Sequence, residues 1–236
     1  MDPGRATSIS SGAPIAPSTG KKTELMEIKR ITFEANDVTC EGLLTSPNLN
    51  AQTPGIIICH PHPLRGGDML NNVVVALAEA FAADGFAVLQ FNFRGVGRST
   101  GHYTEGIGEQ EDAQAALTWL SAQPGIDVDR LFLAGYSFGA RVTLAVASSD
   151  TRVCGCLVVA PPVLHGDWPT LESIRGPTIV LCGERDPVAP PEVVTGIMKN
   201  IPEPKRLAIF SDADHFFVGQ ERTLAQHAVK LLRELS

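Results

Sequence analysis

From Glu24 onward the apolar residues of this chain come in two alternating rhythms. Short runs rich in β-branched residues, such as Gly55–Cys59 (GIIIC), have no polar break and read as strands buried on both faces. Longer segments repeat their apolar positions at helical spacing, as Ala113, Ala116, Leu117 and Leu120 do within Glu109–Gln123. Strands are predicted over Leu25–Glu34, Val38–Ser46, Gly55–Cys59, Phe86–Asn92, Arg130–Ala134, Val153–Val159, Thr178–Cys182 and Arg206–Phe210. Helices are predicted over Asn72–Asp84, Glu109–Gln123, Phe138–Ser149, Pro191–Asn200 and Thr223–Leu235, with Gly85 and Pro124-Gly125 as stops. The first two strands, joined by Ala35-Asn36-Asp37, suit an antiparallel hairpin. Beyond it, the alternation of strand and helix predicts one α/β domain over residues 23–236. Its sheet is mostly parallel, with helices on both faces and right-handed crossovers. Such sheets bind ligands beyond the carboxyl ends of their strands, so the strand-to-helix loops are where chemistry belongs.

Composition narrows the partners. The chain has 236 residues, 44% hydrophobic and 19% charged, as an ordinary globular protein does. Its formal charge of −7 argues against a surface for nucleic acid or anionic membrane. No apolar run reaches the roughly 18 residues of a transmembrane helix. Residues 1–22, rich in Ser, Thr, Pro and Gly, lack the apolar core of a signal peptide and read as a flexible tail, native or vector-derived, outside the fold. Cys40, Cys59, Cys154, Cys156 and Cys182 are odd in number and show no C-x-x-C spacing. Cys154 and Cys156, two apart in a strand, project to one face. Free, mostly buried thiols in a reducing, cytoplasmic compartment follow.

One serine stands out. Gly135-Tyr136-Ser137-Phe138-Gly139 lies between the strand Arg130–Ala134 and the helix Phe138–Ser149, which is the strand–turn–helix setting of a G-x-S-x-G nucleophile elbow. The glycines relieve crowding in a sharp turn, and the helix start supplies unpaired N–H groups near the hydroxyl. The plainer alternative is a serine N-cap in a glycine turn. A serine hydroxyl needs a base within hydrogen-bond reach. Of the six histidines, His227 falls within the last helix, and His102 and His165 sit in polar loops without partners. His215 follows the strand Arg206–Phe210 in Ser211-Asp212-Ala213-Asp214-His215. An acid should orient that imidazole. Asp186, directly after Thr178–Cys182, is the expected one; Asp212 and Asp214 are rivals that read as turn and capping residues, and Glu184 is a backup.

The order Ser137, Asp186, His215, each after a successive strand, resembles the α/β-hydrolase superfamily, and the resemblance covers nearly all of residues 24–236. The segments Cys59-His60-Pro61-His62-Pro63-Leu64-Arg65-Gly66-Gly67 and Phe91-Asn92-Phe93-Arg94-Gly95-Val96-Gly97-Arg98-Ser99 are similar to that family too. Within it the chain looks like the small, nearly lidless group near dienelactone hydrolases and short-chain carboxylesterases. Dienelactone hydrolases carry a cysteine nucleophile; Ser137 in its place favours ordinary ester hydrolysis.

The resemblance implies an oxyanion hole made by the backbone N–H groups of Phe138 and His62. Pro61 and Pro63 have no N–H, so Leu64 is the only fallback donor close by. A metal pair formed by His60 and His62 lacks a third ligand of suitable spacing, and no metal or cofactor is expected. Gly95-Val96-Gly97 lacks a phosphate-loop continuation and reads as a tight turn, with Arg94 and Arg98 in local salt bridges. Residues 160–176, where larger hydrolases insert a lid, can hold one short helix. A minimal lid and an open site for short acyl chains follow. Leu64, Arg65, Leu164, Trp168 and Phe216 are expected to line it, beside Phe138, with Arg65 either solvated or facing an acidic substrate. The expected activity is that of a serine carboxylesterase on small esters. A thioesterase, amidase or perhydrolase would use the same residues, and a binding protein could keep the fold without turnover.

Overall fold

A computed structural model of the chain describes residues 7–9, 26–47, 52–164 and 171–235. Its strands are Thr7–Ile9 (β1), Glu27–Ala35 (β2), Val38–Ser46 (β3), Thr53–Cys59 (β4), Ala87–Phe91 (β5), Ile126–Tyr136 (β6), Val153–Val159 (β7), Thr178–Gly183 (β8) and Lys205–Phe210 (β9). The helices are Asn72–Ala83 (α1), Ile107–Ser121 (α2), Phe138–Ser149 (α3), Pro191–Met198 (α4) and Glu221–Leu235 (α5). Among the described residues the strands form one sheet in the order β1-β9-β8-β7-β6-β4-β5-β3-β2. Only β3 runs against the rest: it pairs antiparallel with both β2 and β5, while the other pairings are parallel.

Residue pattern explains the layers. Ile56, Ile57 and Ile58 of β4 and every residue of β5 are buried, as strands covered by helices on both faces require. β3 alternates buried and half-buried positions, and β2 buries only Phe33 and Ala35 within its span, as befits the edge. In α5 the buried residues Leu224, Ala225, Ala228 and Leu232 keep one helical stripe, which packs on α1; α2 packs on α3.

Several boundaries differ from the sequence expectation, each for a backbone reason. β6 starts at Ile126 because Ile126 and Asp127 pair with Thr53 and Pro54 before a register shift; Asp127, Asp129 and Arg130 interrupt the apolar run there. α2 starts at Ile107, ahead of Glu109. The Glu109 carboxylate accepts the N–H groups of Gly106 (2.7 Å) and Thr104 (2.9 Å), so this residue caps the first turn from inside it. Thr7–Ile9, inside the segment expected to lie outside the fold, adds a strand parallel to β9. Arg94 forms the expected ion pairs, with Asp112 (2.8 Å) and Glu111 (3.1 Å). The salt bridge expected of Arg98 is corrected: among the described residues its contact is the backbone N–H, which donates to Glu41 (2.7 Å). All five cysteines are free, and no helix of the described residues is long and apolar enough to cross a membrane.

The registers bring the carboxyl ends of the central strands into one row. Cys59 of β4 stands beside Gly135 of β6, Tyr136 beside Val159 of β7, and Gly183 of β8 beside Phe210 of β9. His60 pins this row. Its Nδ1–H donates to the Pro61 carbonyl (2.6 Å), and its Nε2 accepts the Phe93 N–H (3.1 Å), which ties the end of β4 to the end of β5. With both nitrogens engaged and the ring fully buried, His60 is a structural strut.

Burial pushes the His60 imidazole down to about 4, against smaller opposing pulls from the Pro61 carbonyl and Asp68. Above the ordinary value of 6.5 both folded and unfolded states keep it neutral. Between 6.5 and about 4 the unfolded chain takes up a proton that the folded chain refuses, so stability falls as pH falls; below about 4 the loss levels off. The full effect is on the order of 3 kcal/mol. In urea unfolding, His60→Gln should therefore be destabilised most at pH 7.5, with the gap to wild type narrowing toward pH 4. Parallel pH profiles for the two proteins would refute the assignment.

Candidate active site

Ser137 sits at the tip of the turn between β6 and α3 with φ 54° and ψ −116°, in a region that residues with a Cβ seldom enter. Such a conformation costs on the order of 1–3 kcal/mol and persists only where the surroundings enforce it. Two backbone bonds do so: the Ser137 N–H donates to Val159 of β7 (2.9 Å), and the Ser137 carbonyl accepts from Ala140 (2.9 Å). The flanking glycines are required by space. A Cβ on Gly135 would lie 2.2 Å from the Gly139 carbonyl oxygen, and one on Gly139 would lie 2.2 Å from the Cys59 carbonyl oxygen. The first turn of α3 is thus pressed onto the ends of β6 and β4.

The structure brings the three expected side chains together. Ser137 Oγ lies 3.0 Å from His215 Nε2, and His215 Nδ1 lies 2.8 Å from Asp186 Oδ2. Asp186 Oδ1 accepts the N–H groups of Val188 (2.8 Å) and Ala189 (2.9 Å), so both carboxylate oxygens are used and the group is held in one orientation. Asp186 and His215 are both buried, the imidazole side chain keeping 11% of its surface exposed. The other acids have separate work. Asp212 pairs with Arg185, Asp214 accepts the Phe216 N–H (2.9 Å), and Glu184 accepts the Asp212 N–H (3.1 Å).

Reaching this geometry is a problem of distance. β9 stands three strands from β6, roughly 14 Å away at the usual strand spacing, so the loop carrying His215 must fold back over the sheet. Tyr136 holds it there: its buried hydroxyl donates to the His215 carbonyl (2.8 Å). Burial, then Asp186 and Asp214, raise the pKa of this phenol, which remains a donor. Sequence reasoning passed over Tyr136; its signal was a hydroxyl at the end of an otherwise apolar strand.

The two residues expected to supply the oxyanion donors have their side chains in contact. Phe138 is the first residue of α3, so its N–H has no acceptor within the helix. The His62 N–H makes no hydrogen bond among the described residues. The His62 ring lies between Tyr103 (centroids 5.1 Å) and Phe138 (5.2 Å). Its Nδ1 accepts the Leu64 N–H (3.2 Å), which commits the fallback donor elsewhere. Nε2 therefore carries the proton and faces the Tyr103 hydroxyl at 3.4 Å. Burial, then Arg65, hold the His62 pKa below its ordinary value, with Glu109 opposing. Neutral His62 keeps the contact to Leu64 that shapes the loop.

Of the expected wall residues, Leu64, Arg65, Leu164 and Phe216 are exposed, with Phe216 edge-on to the His215 ring (5.7 Å). Trp168 lies outside the described residues. No group of three or more His, Cys, Asp and Glu able to hold a metal occurs among the described residues. A cysteine nucleophile has no place in this site. Cys59, the thiol beside the elbow, is buried, and burial pushes its pKa to about 12, helped by Asp112 and opposed by Thr143.

Comparison with known proteins agrees with this fold. A family profile described as an alpha/beta hydrolase domain matches residues 56–235. An uncharacterized protein of Rickettsia prowazekii is 33% identical over 73% of this chain and 74% of its own length. A solved alpha-beta serine hydrolase homologue from Coxiella burnetii is 35% identical with a TM-score of 0.78, covering 93% of this chain and 100% of that one. A serine hydrolase without a lid from Xanthomonas campestris is 30% identical with a TM-score of 0.75, over 94% and 98% of the two chains.

Gly139→Ala places a methyl group against backbone, which cannot move aside as a side chain would. The α3 start and Ser137 must shift together. The variant should fold with lower stability and lose hydrolytic turnover by at least tenfold, read as kcat/KM and as the urea midpoint. Unchanged values in both would show that the elbow does not need this close approach.

Proposed function

We propose that this chain, which belongs to the α/β-hydrolase family, is a serine carboxylesterase acting on small esters with short acyl chains. The observation that carries the reading is the unbroken line of hydrogen bonds from Ser137 through His215 to Asp186. His215 Nε2 takes the Ser137 proton as Oγ attacks the ester carbonyl, and Asp186 stabilises the imidazolium while fixing its tautomer. The charge that develops on the carbonyl oxygen is met by the Phe138 and His62 N–H groups, held in place before it appears. His215 then gives its proton to the leaving alcohol oxygen as the C–O bond breaks. A water attacks the acyl-enzyme by the same route, releases the acid and restores Ser137.

Two features support small esters in particular. The β7–β8 link, residues 160–177, contributes a 3-10 turn at Leu171–Ser173 among its described residues and is too short for a helical cap. The relative from Xanthomonas campestris is itself described as lacking a lid. The five free thiols suit a reducing, cytoplasmic setting.

A fluorophosphonate should label Ser137 in the folded protein and leave Ser137→Ala unlabelled. Asp186→Asn should lower kcat by roughly 10⁴, as loss of the correct histidine tautomer does in a triad of this kind. A p-nitrophenyl ester series from acetate to palmitate should give its highest kcat/KM at the short end. Absence of labelling favours a binding protein with this fold, and a maximum at long chains contradicts the short-acyl site.

A further inference from the structure

Large exposed apolar side chains are not scattered over this protein. Six of the nine among the described residues follow the carboxyl ends of β4, β5, β7 and β9: Leu64, Leu70, Leu164, Phe216 and Val218 in the connections themselves, and Ile107 as the first residue of α2. Met26, Ile28 and Val128 are at the opposite end of the sheet, where β2 and β6 begin. The apolar excess is therefore on the face that carries Ser137.

Part of this rim is tied to one side of the site. Phe216 follows His215 in sequence, meets its ring edge-on and is 62% exposed. The Phe216 carbonyl accepts from Asn72 Nδ2 (3.4 Å), which also donates to Glu221 (2.8 Å). Asn72 thus joins the β9–α5 loop to the start of α1, two residues beyond Leu70. Leu70, Phe216 and Val218, all exposed on the two segments that Asn72 joins, make up an apolar lip on the histidine side, while the side chains of the expected oxyanion donors, His62 and Phe138, pack with Tyr103.

The chemistry assigns the two halves of an ester to these two sides. The leaving oxygen receives its proton from His215 Nε2, so it must come within about 3 Å of that nitrogen. The carbon chain attached to it then runs out beside the imidazole, where Phe216 is the adjoining surface. We infer that the lip of Leu70, Phe216 and Val218 binds the alcohol half of the substrate, and that the preferred substrates are esters of a short acid with an extended apolar alcohol. This rests on Ser137 acting as the nucleophile, and it adds a direction to the reading given above.

Two isomeric esters with the same atoms and opposite connectivity separate the halves: hexyl acetate and ethyl hexanoate. Hexyl acetate should have the higher kcat/KM. Against ethyl acetate, which gives the same acyl-enzyme, it should gain in kcat/KM and not in the deacylation rate. Phe216→Ser should lower the ratio of kcat/KM for hexyl acetate over ethyl acetate by roughly tenfold, and Val218→Ser by a smaller factor. Ile28→Ser, an equally exposed apolar position at the far end of the sheet, should leave the ratio as it is. A preference for ethyl hexanoate, or a ratio unmoved by Phe216→Ser, overturns the inference while Ser137 is still labelled by a fluorophosphonate. Absence of both labelling and turnover overturns it together with the nucleophile assignment.

Discussion

The close approach of α3 to the end of β4 governs the rest of this site. The Gly139 Cα sits against the Cys59 carbonyl with no room for a side chain, and Gly135 sits against Gly139 in the same way. This contact forces β6 to turn sharply into α3, and Ser137 is the residue that takes up the unfavourable φ. Strain here has a geometric use: a serine in ordinary helical or extended conformation would follow the strand or the helix and not stand out between them. The bond from the Ser137 N–H to Val159 shows how the sheet supports this, since the neighbouring strand holds the strained residue directly.

Precision at Ser137 would be wasted without equal precision at His215, which comes from a distant strand on a loop. The protein fixes that loop at both ends of the imidazole. Tyr136, immediately before the serine, holds the histidine backbone, and Asp186, itself held by two backbone N–H groups, holds the ring. The elbow therefore positions the nucleophile and, through Tyr136, its base. Pro187 has no N–H, so the cradle of the Asp186 carboxylate begins one residue later, at Val188.

Much of this was legible in the sequence, and the divide between what was and was not is physical. Strands buried on both faces, such as β4 and β7, announce themselves by apolar runs, and α3 and β7 have the predicted bounds. Ser137, His215 and Asp186 were readable because each follows a recognisable strand, and strand ends in a parallel sheet converge. What stayed hidden depends on backbone pairing or on contacts between distant segments. The start of β6 is held by register with Thr53 and Pro54, and Asp127, Asp129 and Arg130 break up the apolar run that marks the rest of the strand. β1 is three residues in a polar, proline-rich stretch. Tyr136 and Asn72 act on residues far away in sequence, and nothing local marks their partners. Arg94 and Arg98 have similar neighbours in sequence, yet only Arg94 faces the acids of α2.

The same division explains why one face of the molecule has polar precision and apolar excess together. The reacting groups need fixed, hydrogen-bonded positions, which the strand ends and helix starts supply through backbone N–H groups. Recognition of a flexible apolar chain needs no such bonds; it needs surface that gains by leaving water. Placing that surface on loops beyond the row of strand ends keeps it out of the core, whose packing it would otherwise disturb, and leaves it free to vary. Phe216 belongs to both regimes. Its backbone is fixed by Asn72 and Asp214, while its ring stays in solvent beside the imidazole. An apolar side chain held in water by its own backbone is a standing cost to the free protein, and a substrate that covers the ring removes it.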